Sequence, residues 1–117
     1  AYKNRWLDRY TYRRLLVENF VSQMGVFWRR DFGEEVAYPG GELLDASLHY
    51  CMDYDLWLRF GARSEPLILD QTVAYFRYHA GSKSGAVKRE QFDEGYRVAC
   101  RYAAGGVTRL RHRLNAE

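Results

Sequence analysis

The chain has 117 residues, of which 47% are apolar, 16% aromatic and 28% charged, with a formal net charge of +3. This length allows one domain at most, and the apolar fraction is enough to bury a core, which excludes a disordered chain. No run approaches the roughly 18 apolar residues of a membrane span, and the first eight residues are charged and aromatic instead of signal-like.

The chain carries no initiator Met and opens mid-pattern, so it is expected to be a piece of a longer protein. Cys51 and Cys100 fit no zinc-ligand spacing and fall in amphipathic segments, which predicts reduced, buried thiols and a cytoplasmic setting. The charge is unevenly spread. Residues 1–30 hold seven Lys or Arg against two acids, residues 31–65 two against eight, and residues 81–117 eight against four. Basic ends of this kind suit solvated faces first, and contacts with nucleic acid or an anionic surface second.

Taken in order, Thr11 is placed to cap a short helix running to Asn19, with Tyr12, Leu15 and Leu16 at helical spacing. Residues 20–30 are β-branched and aromatic and predict a strand, or a strand and a turn, with Gly25 marking a bend. Residues 31–36 allow a short helical turn, and the Pro-Gly-Gly at 39–41 is a loop. A helix is predicted from about residue 48, with Ser47 or Asp53 available as caps and a stop between Gly61 and Pro66. Residues 66–79 alternate as a strand bulky on both faces. The polar loop 80–85 lacks the spacing of a phosphate-binding loop. A last helix is expected over 87–104, with Phe92, Tyr96, Ala99 and Ala103 on its apolar face, followed by a short basic amphipathic stretch.

Within the central helix, Met52, Asp53, Leu56, Trp57 and Phe60 share one arc, so Asp53 sits among apolar neighbours. Such a carboxylate is costly unless it caps a helix, pairs with a cation or does chemistry. Asp55 and Arg59, four apart on another side, are expected to form an ordinary surface pair.

Three blocks stand in order: Phe-Trp-Arg-Arg-Asp at 27–31, Leu-Asp-x-Ser-Leu-x-Tyr-x-Met-Asp-Tyr-Asp-Leu-Trp-Leu-Arg at 44–59, and Phe-Arg-Tyr-His-Ala-Gly-Ser-Lys-Ser at 76–84. Together they resemble the second half of a family 2 glycosyltransferase catalytic domain over residues 20–84, and more loosely through the following helix. The resemblance implies an α+β fold: a partial GT-A, Rossmann-like domain of few strands flanked by helices, without its nucleotide-binding half and with a C-terminal helical extension from about residue 86. It implies inverting transfer of a sugar from a nucleotide-sugar donor to a hydroxyl acceptor. Asp53 matches the family's general base, with Met52 where an acid more often stands. His79 matches a histidine that reaches the divalent metal, Mg2+ or Mn2+, or the diphosphate. Arg77 and Lys83 are weaker candidates for charge on the leaving diphosphate, and Arg29 and Arg30 match a basic doublet for which the resemblance implies a structural role.

The family's metal-holding Asp-x-Asp is not found before the match, since the only such triplet, Asp53-Tyr54-Asp55, belongs to the central helix. The chain by itself is therefore expected to be inactive. The missing Gln-x-x-Arg-Trp of processive synthases points toward single-sugar transfer. Apolar surface meant for the nucleotide-binding half is expected to drive self-association. The alternative is a non-catalytic module whose basic ends and interleaved aromatics bind nucleic acid or an anionic surface.

Overall fold

The computed structural model describes residues 7–75 and 88–103. Among them the regular structure is helical: α1 (Tyr12–Leu15), α2 (Arg30–Val36), α3 (Met52–Arg63) and α4 (Lys88–Tyr102), with single 3-10 turns at Leu7–Arg9 and Gln23–Gly25. The α+β, GT-A-like expectation is thereby overturned, because the described residues contain no strand. Neither predicted strand forms a ladder among the described residues. Residues 20–29 form no strand and are interrupted by the turn at Gln23–Gly25, where Gly25 and Val26 donate to Ser22 and Gln23, and Arg30 already belongs to α2. Residues 66–75 form no ladder, and 76–79 lie outside the described residues. Apolar alternation alone does not make a sheet when no neighbouring backbone takes up the N–H and C=O groups.

The helices have local causes. Thr11 is extended, and its hydroxyl accepts from the Arg14 N–H at 3.0 Å, which starts α1 as expected. The helix stops at Leu15 instead of running to Asn19, since Val17 bonds back three residues to Arg14. Helix α2 is followed by a tight turn in which Tyr38 accepts from Gly41 at 2.7 Å and donates to Glu42 at 2.9 Å. Gly41 has a φ of 86°, a backbone state that glycine adopts without a Cβ penalty.

Helix α3 is the centre of the molecule. Tyr54, Asp55, Leu56, Trp57 and Leu58 are all buried, so it is enclosed on almost every side. Tyr54 donates to the Leu15 carbonyl at 2.5 Å, and Tyr12 donates to the Leu58 carbonyl at 3.0 Å, which ties α1 to α3. Trp28 sets its ring against Trp57 and Phe60 at centroid distances of 6.1 and 5.3 Å. The Phe-Trp-Arg-Arg-Asp block is thus built around an aromatic anchor, while Arg29 pairs with Asp31 at 2.6 Å on the surface.

Helix α3 ends at Arg63, between Gly61 and Pro66 as expected, and Gly61 lies in its last turn. A Cβ at this position would stand 2.7 Å from the Tyr10 hydroxyl and 2.7 Å from the Tyr12 ring. Gly61→Ala should therefore destabilise the fold, although alanine gains about 1 kcal/mol in an unstrained helix. A higher melting temperature for that variant would show that α1 does not pack here as described.

Helix α4 packs against α3 with its inward face rotated from the expected one: Ala99 and Ala103 are buried as expected. Glu94, Gly95, Val98 and Ala99 are buried, whereas Phe92 is 43% exposed. The inward positions recur at helical spacing, but one of them is a carboxylate.

Candidate functional site

The N-terminus of α3 has an unusual cap. Its N-cap residue, Cys51, makes no side-chain cap bond, and neither Ser47 nor Asp53 takes that role. Glu94 reaches over from α4 instead. Its Oε2 accepts from the His49 N–H at 2.9 Å, and its Oε1 from the Tyr50 and Cys51 N–H groups at 2.6 and 2.7 Å. The Cys51 amide is one that the start of α3 leaves without an intrahelical partner, and those of His49 and Tyr50 lie just before it. Burial pushes the Glu94 carboxyl up, but the three amides and the nearby Arg97 outweigh it and hold it below the usual carboxylate range. Charge-assisted bonds of this kind are short and roughly twice as strong as neutral ones.

Asp53 occupies the first turn of α3 and is half-buried. Its Oδ1 accepts from the Tyr54 N–H at 2.7 Å. Burial is the largest influence and raises its carboxyl above the ordinary 3.8, while the Tyr54 and Asp53 amides pull it partly back. No cation pairs with it among the described residues. A carboxylate raised by burial and lacking a neutralising partner is suited to taking a proton.

Asp55 is the opposite case: its pair with Arg59 forms as expected, but buried instead of on the surface. Its side chain is wholly buried. Oδ2 accepts from the Tyr38 hydroxyl at 2.5 Å and from Arg59 Nε at 3.2 Å, while Oδ1 accepts from the Tyr102 hydroxyl at 2.6 Å and from Arg101 Nη1 at 3.3 Å. Arg101 also meets Asp45 at 2.9 Å. Arg59 lies over the Tyr38 ring at 4.2 Å and donates to the Val36 and Leu43 carbonyls. The loop after α2, the middle of α3 and the end of α4 therefore meet at one fully bonded carboxylate. With all these partners engaged, Asp55 is a structural tie and not a candidate base.

Cys51 is buried, and burial pushes its thiol up to about 12, with Glu94 and Asp53 adding to the effect. It is an inert thiol, in keeping with the reading of the cysteines as reduced core residues. Cys100 is also free but only partly buried. Arg77, His79 and Lys83 fall outside the described residues. Among the described residues no three His, Cys, Asp or Glu side chains are grouped to hold a metal ion. No helix of the described residues is long and apolar enough to cross a membrane.

The spacing of residues separated Asp53 from Asp55 but missed Glu94, Tyr38, Tyr102 and Arg101. Glu94, Val98 and Tyr102 do stand four apart on α4, a pattern that marks one helix face. It was hidden because the stronger apolar residues, Phe92 and Tyr96, lie on the adjacent face.

No protein-family model matches this chain, and neither curated proteins nor solved structures give a significant match.

Proposed function

We propose that this chain is the acceptor-side, catalytic-base portion of an inverting glycosyltransferase that moves a sugar from a nucleotide-sugar donor to a hydroxyl acceptor. Two things support the reading: the order of the three sequence blocks, and the state of Asp53. The observation that carries it is a half-buried carboxylate, raised by burial and lacking a cationic partner among the described residues, at the position that the resemblance assigns to the base.

In this reading Asp53 takes the proton of the acceptor hydroxyl as that oxygen bonds to the anomeric carbon. The bonding pair of the cleaved C–O bond leaves with the nucleoside diphosphate. The raised carboxyl narrows the gap between the base and the hydroxyl it must deprotonate, which favours transfer in the forward direction. The described residues alone do not form a divalent-metal site, and the proton step is drawn without one. The reading rests on residue order and on Asp53, and not on the fold.

The deciding experiment compares sugar transfer by the full-length enzyme and its Asp53→Asn variant. A large fall in kcat supports the base assignment, and near-normal transfer removes it.

The exposed apolar side chains bear on partners. Leu67, Tyr75 and Phe27 are 87%, 84% and 75% exposed, and they stand in segments that make no ladder. Surface of this kind favours association. The chain should show concentration-dependent self-association in light scattering, and a constant monomer mass over a wide concentration range would contradict that.

A further inference from the structure

A carboxylate in the first turn of a helix is ordinarily drawn to the unpaired amides there, which stabilises its charged form and weakens it as a base. Asp53 is in that position, but the amides immediately before it are already taken by Glu94. Glu94 is 6% exposed and comes from a different helix, 41 residues further along the chain than Asp53. Its bonds to three successive amides fix the backbone that leads into Asp53.

We propose that Glu94 is the positioning residue of this site: by holding the His49, Tyr50 and Cys51 amides it fixes the chain that leads into α3, and with it the place of Asp53, whose Oδ1 accepts from the Tyr54 N–H of the first turn. The inference rests on the reading of Asp53 given above for its catalytic meaning, but the clamp itself is observable without any transfer reaction.

The ionisable groups facing this junction are Arg97 and Glu90 on α4, and His49, Tyr50, Cys51 and Asp53 on the other side. Arg97 is exposed and acts on Glu94 and Cys51. Glu90 receives the Tyr50 hydroxyl at 3.4 Å. Because Glu94 is held below the ordinary 4.5, the clamp is complete above that pH and is lost as pH falls through the depressed value.

The test is an NMR titration of the isotope-labelled full-length protein and its Glu94→Gln variant. In the unmodified protein the amide signals of His49, Tyr50 and Cys51 should move together with one midpoint, below the usual glutamate range. Independent or flat titration of the three amides would overturn the clamp, whatever the variant does. In Glu94→Gln, which keeps the size and loses the charge, the Asp53 midpoint should fall, because a neighbouring negative charge is removed. The acidic limb of the transfer-rate profile should move down with it. An unchanged Asp53 midpoint in a folded Glu94→Gln protein would overturn the positioning role. Normal transfer by Asp53→Asn together with a shifted Asp53 midpoint would remove the catalytic reading and leave the clamp standing.

Discussion

Asp55→Ala should cost about 3–5 kcal/mol, because it strips the partner from buried charge instead of removing a surface contact. The Arg59 side chain is only 10% exposed and would keep its guanidinium beside an apolar void. The Tyr38 and Tyr102 hydroxyls would lose the acceptor they reach at 2.5 and 2.6 Å. Each buried donor left without a partner costs about 1–3 kcal/mol. A small domain holds roughly 5–15 kcal/mol in all, so the variant should be largely unfolded or melt many degrees lower. Tyr102→Phe removes a single donor and should cost about 1–2 kcal/mol. Denaturant unfolding that gives Asp55→Ala a loss below about 1 kcal/mol, the range of exposed ion pairs, would return Asp55 to the surface role its spacing suggests.

Asp53→Asn should separate activity from stability. Loss of a positioned general base typically lowers the rate by about 10²–10⁴-fold, and the change should fall on kcat, since the proton moves only in the transition state. Stability should move the other way. A carboxyl raised in the folded state contributes stability that is present below the unfolded value, here near the ordinary 3.8, and lost as pH rises through the folded value. At neutral pH the folded protein therefore carries a charge it would hold more easily unfolded. Asn removes that charge, so the melting temperature should rise at neutral pH, and the gain should disappear below about pH 3.8. A variant with lower activity and a lower melting temperature at neutral pH would mark Asp53 as a structural residue. The expected combination, less activity with more stability, is the signature of a group retained for function at a cost to the fold.

The two carboxylates of α3 show how far the sequence reached. Their separation was legible, because helical spacing alone puts Asp53 and Asp55 on different faces. Which face was buried was not. Spacing assigned Asp55 and Arg59 to the surface, as their chemistry suggests, but Tyr102 and Arg101 from α4 and Tyr38 from the loop after α2 close over them. Those partners are 17 to 47 residues away in the chain, so no local pattern announces them. The end of α3 at Arg63, between Gly61 and Pro66, was legible, but the role of Gly61 in admitting Tyr10 and Tyr12 against α3 was not.

By itself the sequence determined the existence of α1 through α4, the Thr11 cap, the reduced cysteines and the singling out of Asp53, because capping chemistry and the 3.6-residue period act over a few residues. Only the tertiary structure decided that the two alternating apolar runs find no ladder among the described residues, that Asp55 is the buried tie, and that Glu94 holds the amides leading into α3. Each of those outcomes depends on which distant segment arrives to satisfy a backbone amide or a charge, and hydrogen-bond satisfaction between remote segments is not written in local periodicity.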